Sequence, residues 1–119
     1  MKHQIGKRKL NLKSSHRKAM LRNQIIHFIL NGTLTTTKPR AKEVQRLTEK
    51  LVTIARKGND FNIRRQVQAQ LPYKEEAVVK LIKEIAPQYV QRPGGYTRLT
   101  NVGIRVSDVA PMALLEWVK

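Results

Sequence analysis

Hydrophobic residues recur at helical spacing in four stretches of this chain and form short strand-like runs in three others. We expect helices over residues 16–30, 39–57 and 74–86, and another that follows a cap at Asn59 or Asp60 and ends near residue 71. Strands are expected over residues 33–37, 96–106 and 112–118. No repeat of about 20–50 residues is present, so the pattern does not indicate a repeat array.

Turn-forming residues mark the ends of the predicted helices. Ser14 or Ser15 is suited to cap the first helix, and Gly32 is suited to end it. Pro39 fits the first turn of the second helix, where its missing N–H is not needed. We expect Pro87 to stop the fourth helix, because a helix interior requires that N–H.

The predicted helices differ in how their apolar residues are arranged. The second has the stripe of a core-facing helix, made of Val44, Leu47, Leu51, Ile54 and Ala55. The third is expected to point Ile63, Val67 and Leu71 inward. The first changes polarity along its axis, being basic in its first two turns and apolar further on. This gradient indicates a buried C-terminal end and an N-terminal end that is hydrated or bound to a ligand.

The last third of the chain is expected to be strand-like. Its apolar positions change parity between Leu99 and Val102, which predicts a bulge or bend near residues 100–101. The final strand is apolar at both parities in its first half. A strand that is buried on both faces usually has neighbours on both sides, so we expect it to be the middle strand.

Composition narrows the classes of partner. The 119 residues suffice for one domain that buries roughly two thirds of its unfolded surface. The chain has 24 Lys and Arg against 8 Asp and Glu, a net charge of +16, which favours nucleic acid first and an anionic membrane surface second. Because cysteine is absent, disulfides and thiolate chemistry are excluded. No apolar run approaches the roughly 20 residues of a membrane-spanning helix.

Positive charge is concentrated at the N-terminal end. Eleven of the 24 Lys and Arg residues precede the first carboxylate, Glu43. Unbalanced charge destabilises a compact fold, so we interpret residues 1–13 as an extended basic arm for a polyanion and residues 14–119 as a single domain. The predicted fourth helix is balanced, with Glu76, Lys80 and Glu84 at ion-pair spacing, and is expected to face solvent.

No catalytic or metal-binding set is recognisable in the sequence. His3, His16 and His27 lack metal-ligand spacing, and no carboxylate precedes Glu43. A ribonuclease-like centre around His3 and His16 is a third hypothesis that rests on residue type alone. We expect no enzyme activity, no cofactor and no small-molecule substrate.

Three long blocks of the chain are distinctive: GKRKLNLKSSHRKAMLRN at 6–23, LTTTKPRAKEVQRLTEKLVTIA at 34–55, and RPGGYTRLTNVGIRVSDVAPMALLEWV at 92–118. Together they closely resemble the bacterial-type family of large-subunit ribosomal protein seventeen. The resemblance implies an α+β fold, a two-layer α/β sandwich with a small mixed sheet in the order helix, strand, three helices, two strands. It also implies a cytoplasmic protein of the ribosome that binds large-subunit ribosomal RNA near the emerging nascent chain, among neighbouring ribosomal proteins and without a membrane.

The basic arm, the start of two helices and the glycine turn are the regions we expect to contact RNA, mainly through phosphates. The candidate residues are Lys2, His3, Lys7, Arg8, Lys9, Lys13, Ser15, His16, Arg17, Lys18, Arg22, Lys38, Arg40, Lys42, Arg92, Gly94, Gly95, Tyr96 and Arg98. The alternative function is that of a basic protein associated with DNA or the chromosome, because charge alone does not separate the two nucleic acids.

Overall fold

The computed structural model describes residues 13–58 and 60–118. This part of the chain folds into an α+β arrangement of four helices and a three-stranded antiparallel sheet, in the predicted order. The elements are α1 (Ser14–Asn31), β1 (Thr33–Thr37), α2 (Lys38–Ala55), α3 (Phe61–Gln70), α4 (Glu75–Lys80), β2 (Thr97–Ile104) and β3 (Pro111–Trp117).

Helix α1 begins two residues earlier than predicted and is not capped by a serine. Lys13 occupies the cap position with an extended backbone, and no side chain there accepts a hydrogen bond from the first turn. Ser14 and Ser15 lie inside the helix, so the prediction that one of them caps it is wrong. The predicted end is confirmed: Gly32 has a φ of 85°, and its N–H donates to the carbonyl of Phe28 at 2.8 Å.

Helix α2 begins at Lys38 with Pro39 in its first turn, as predicted, and ends at Ala55, two residues before the predicted end. Its buried surface is wider than the predicted stripe, because α2 contacts α1, α3 and all three strands. Leu47 and Ile54 are only half-buried, whereas the rest of the predicted stripe is buried. The residues of α2 that are buried are Ala41, Glu43, Val44, Thr48, Leu51, Val52 and Ala55.

The third and fourth helices follow the predicted pattern with one correction. Ile63, Val67 and Leu71 are buried as predicted, and Asp60 takes the cap position of α3. The helical path after α4 does not stop at Pro87. It continues as a π-helical turn over Leu81–Ile85 and a 3-10 turn over Ala86–Tyr89, in which Pro87 lies in the first turn and needs no N–H partner.

The sheet has the order β1-β3-β2, which confirms β3 as the middle strand. Both pairings are antiparallel, so the expectation of a mixed sheet is wrong. The short connection between β2 and β3 forms a hairpin, and a hairpin pairs its strands antiparallel. The ladder shifts register between Asn101 and Gly103, which confirms the bulge one or two residues beyond its predicted place.

The core is formed by apolar residues of the helices and of the sheet. Leu34 and Leu115 belong to it, and Leu99, which packs against it, aligns with them across the three strands. The ring of Phe28, which is fully buried in α1, stacks on Trp117 of β3 at 4.5 Å and an interplanar angle of 14°. The ring centroid of Tyr89 lies 6.1 Å from that of Trp117, so the end of the helical region belongs to this aromatic cluster.

A carboxylate from α2 anchors the first residue of β2. One oxygen of Glu49, Oε2, accepts hydrogen bonds from the backbone N–H of Thr97 at 3.1 Å and from its hydroxyl at 2.8 Å. Thr97 is buried, so without Glu49 its N–H would lose a partner in a place that excludes water.

Replacing Glu49 is therefore expected to destabilise the fold. Glu49→Ala should lower the free energy of unfolding by about 1–3 kcal/mol, the usual cost of an unsatisfied buried donor. Glu84→Ala, which removes an exposed carboxylate, should change it by less than about 0.5 kcal/mol. Urea denaturation followed by circular dichroism measures both; equal losses would contradict the anchoring role.

Candidate nucleic-acid interface

The structure describes fourteen of the nineteen candidate contact residues. The other five precede residue 13 and lie outside the described residues: Lys2, His3, Lys7, Arg8 and Lys9. The first described residue is Lys13, which takes the cap position of α1.

The first turns of α1 combine cations with backbone donors that the side chain of the cap residue, Lys13, does not bind. Lys13, His16 and Lys18 are exposed, and Arg17 and Arg22 are half-buried. The first turn contains no acidic residue. The first N–H groups of a helix have no partner within it, and the helix dipole places partial positive charge there. This end of the molecule is therefore suited to an anion such as phosphate.

A groove between α1 and α2 brings three of the candidates together. Its volume is about 370 Å³, and we call it the basic groove. Its cations come from both helices: Arg17, Lys18 and Arg22 from α1, and Arg46 and Lys50 from α2. Its apolar lining is formed by Leu21, Ile25, Leu47, Leu51 and Ile54. The arrangement is an aliphatic surface surrounded by positive charge.

One carboxylate lies among these cations. Glu43 is 2% exposed, and its Oε1 accepts a hydrogen bond from Nη2 of Arg46 at 3.2 Å. Five cations and one carboxylate leave the groove with a net charge of +4. Arg22 also reaches α3, where its guanidinium donates to the carbonyl of Ala69 at 3.5 Å, a long hydrogen bond.

The basic start of α2 is a separate region. Lys42 is exposed, Lys38 and Arg40 are half-buried, and none of the three lines the basic groove. Thr37 occupies the cap position without a side-chain hydrogen bond, and the first turn of α2 also has no acidic residue. Like the start of α1, the start of α2 therefore combines cations with backbone N–H groups that the side chain of its cap residue does not bind.

The glycine turn adopts the backbone that its sequence predicts. Gly94 and Gly95 have φ values of 114° and 62°, which favour glycine. Arg92 is exposed, and its carbonyl accepts a hydrogen bond from the guanidinium of Arg56. Arg98 is exposed as well and lies 3.6 Å from a carboxylate oxygen of Glu116, a weak surface ion pair.

Tyr96 is a correction to the candidate set. It is 1% exposed, so its ring is not available to a base or a phosphate. Its hydroxyl lies 3.1 Å from that of Thr53, and its ring centroid lies 5.3 Å from that of Tyr89. Burial of the ring against α2 and the 3-10 turn makes Tyr96 a core residue.

The pairing predicted for the fourth helix is not observed. Among the described residues no ion pair joins Lys80 to Glu76 or Glu84. The Lys80 ammonium instead donates to the carbonyl of Leu30 at 3.0 Å, near the C-terminal end of α1. A cation is favourable there because the last carbonyls of a helix lack partners.

Arg46 and Lys50 are candidate residues that the sequence does not reveal; both line the basic groove. Their charge alone gives no sign that they face a second helix. The available signal was their i, i+4 spacing beside Leu47 and Leu51, which places two cations along one edge of the apolar stripe.

In the described part of the chain, no group of three or more His, Asp or Glu side chains has the arrangement of a metal site. Over the same residues, no helix has the length and apolar character needed to cross a membrane.

Comparison with known proteins gives a consistent result. Residues 20–118 match the family described as Ribosomal protein L17. The chain is 50% identical to Large ribosomal subunit protein bL17 of Desulforudis audaxviator, over 96% of this chain and 100% of that protein. It is also 50% identical to the bL17 of Aliarcobacter butzleri, over 99% of this chain and 100% of that protein. These matches show that the chain belongs to the ribosomal protein L17 family.

Proposed function

We propose that this protein is a structural constituent of the large ribosomal subunit and binds ribosomal RNA mainly through phosphate contacts from residues 1–13 and the start of α1. The observation that supports the proposal most directly is the first turn of α1, which has a cluster of cations, no acidic residue and no side-chain cap from Lys13. The names of the relatives supply the ribosomal context. The protein has no catalytic role in this function.

In the isolated chain the cations at the start of α1 are electrostatically unfavourable, and phosphate contacts would offset this cost. Cations in the first turn of a helix oppose its dipole, at a cost of order 0.3–1 kcal/mol each at low salt. A phosphate placed there reverses the sign, because it attracts both the side chains and the free N–H groups. Residues 1–13 carry five Lys and Arg residues and no acid, so they extend the same chemistry along the RNA.

We infer that the fold has two layers, with the helices on one face of the sheet, and that residues 1–13 serve as a basic arm for RNA beside a single domain of residues 14–119. Leu34 and Thr36 of β1 are buried, whereas the alternate residues Thr33 and Thr35 are exposed, which supports helix cover on one face alone. Contacts of α2 with all three strands support the same layering.

Sedimentation tests the function against the DNA-binding alternative. Tagged protein should travel with large ribosomal subunits in a sucrose gradient, remain there after DNase treatment, and be released by RNase or by high salt. Release by salt is expected because each neutralised phosphate contributes roughly 0.7–0.9 to the slope of log K against log salt. Sedimentation with nucleoids and release by DNase would instead support the alternative.

The charge distribution predicts an order of affinity for ribosomal RNA among variants. Removing residues 2–12 should weaken binding most and lower the salt slope, because four Lys and Arg residues are lost. Lys18→Ala, in the basic end of α1, should weaken binding less. Lys83→Ala is the matched control, since it also removes one exposed lysine but from the region with Glu75, Glu76 and Glu84. Filter binding over a salt series measures all three.

An inverted order would contradict the assignment of the RNA-facing end. If Lys83→Ala weakened binding as much as Lys18→Ala, the contact surface would include the acidic helix region. If removal of residues 2–12 left the salt slope unchanged, the arm would make no phosphate contacts. Circular dichroism of each variant shows whether the fold of the remaining domain is retained.

The tip of the β2–β3 hairpin supports contact with a neighbouring protein. Its apolar side chains are exposed, with Val106 at 99% and Ile104 at 64%. Arg105 and Asp108 form an ion pair at 2.6 Å, and this hydrogen-bonded guanidinium lowers the pKa of Asp108 to about 2. Because the pKa is lowered, the pair persists at neutral pH and is lost only as the pH falls towards 2. We propose that this neutral, apolar tip contacts an apolar surface of an adjacent large-subunit protein.

Site-directed cross-linking tests this contact. A photoreactive residue at Val106 should cross-link to protein in assembled large subunits, because the tip is apolar and its charges are paired. The same group at Lys18 should cross-link to RNA. A cross-link from Val106 to RNA alone would contradict the assignment of the tip to a protein neighbour.

A further inference from the structure

The basic groove has an apolar lining that phosphate binding does not use. Phosphate contacts require cations and N–H donors, which the start of α1 supplies without a groove. Leu47 and Ile54 are half-buried here, although the other predicted core residues of α2 are buried. An aliphatic surface left open between two helices and surrounded by cations is suited to a ligand with both an apolar and an anionic part.

We propose that the basic groove receives one unstacked nucleobase of the bound RNA, while the phosphates on either side of that nucleotide contact the surrounding cations. The inference deepens the proposed function, on which it rests. The base would lie on the aliphatic surface of Leu47 and Ile54. Bases that leave the stack in loops and bulges are the usual targets of protein recognition in RNA.

The size and side chains of the groove fit this ligand. Its volume of about 370 Å³ lies in the range of roughly 300–1,000 Å³ that small-molecule sites occupy. Arg17, Arg22 and Arg46 line it, and guanidinium planes stack on bases as aromatic rings do. Only 5% of the residues are aromatic and Tyr96 is buried, so the chain offers few rings on which a base can stack. Arginine guanidinium groups and aliphatic side chains would form the stacking surface instead.

The charge of the basic groove favours an anionic partner. The groove carries a net charge of +4, and its carboxylate, Glu43, already accepts a hydrogen bond from Arg46.

Methyl NMR of the full chain with small probes tests the base and phosphate contributions separately. Adenosine 5′-monophosphate is expected to shift the methyl signals of Leu47 and Ile54 in a saturable way. Ribose 5-phosphate carries the same phosphate without the base, so it should shift signals at the start of α1 but not those methyls. The proposal fails if adenosine 5′-monophosphate leaves the methyls unchanged or if ribose 5-phosphate shifts them equally.

A pair of leucine variants provides a matched control. Leu47→Ser removes part of the aliphatic surface, and Leu30→Ser alters another half-buried leucine that does not line the basic groove. Leu47→Ser should weaken binding of adenosine 5′-monophosphate by about four- to fifteenfold, equivalent to one or two buried methylenes. Leu30→Ser should leave that affinity unchanged, even where its melting temperature falls as far. Equal effects of the two variants would overturn the proposal.

Two further outcomes separate this inference from the proposed function. If the protein sediments with large subunits in a salt-sensitive way but the nucleotide does not reach the groove, the base site is wrong and the function stands. If an acidic peptide, such as oligoglutamate, shifts the Leu47 and Ile54 methyls and adenosine 5′-monophosphate does not, the groove belongs to a protein partner and the proposal is overturned.

Discussion

The stacking of Phe28 on Trp117 is the contact on which the placement of the basic end depends. It joins the apolar end of α1 to the middle strand of the sheet at 4.5 Å, and Tyr89 joins from the helical region beyond α4. The indole Nε1 is buried without a hydrogen-bond partner among the described residues, a cost of about 1–3 kcal/mol that the surrounding ring contacts offset. With its far end held in the core, α1 presents its first turns away from that cluster.

Segregation of charge follows from the same arrangement. No carboxylate precedes Glu43, and that residue is buried and paired with Arg46. Glu49 is bound to Thr97, and Glu116 lies near Arg98. The acids of α2 and β3 therefore neutralise few of the cations around α1. An RNA partner would supply the missing negative charge, which explains how a chain with a net charge of +16 gains from a surface that is unfavourable in isolation.

The bulge in β2 divides the hairpin into a part that packs on the core and an exposed tip. Before it, Leu99 pairs across β3 and faces the core. Beyond it, Val102 and Ile104 are 48% and 64% exposed, so the apolar residues of the tip do not belong to the core of this chain. The shift of register by one residue exchanges the side chains that face the core with those that face outward. The apolar side chains beyond the bulge therefore point outward.

Local signals in the sequence determined much of this fold. Gly32 and Pro39 mark helix ends through their own backbone preferences, and the parity change after Leu99 indicates the bulge without knowledge of any partner strand. Tertiary structure decided the rest: the antiparallel sheet, the burial of Tyr96, and the meeting of Arg46 and Lys50 with α1 in one groove. Backbone preference and periodicity act over a few residues, whereas strand direction and helix contacts depend on which distant surfaces exclude water together.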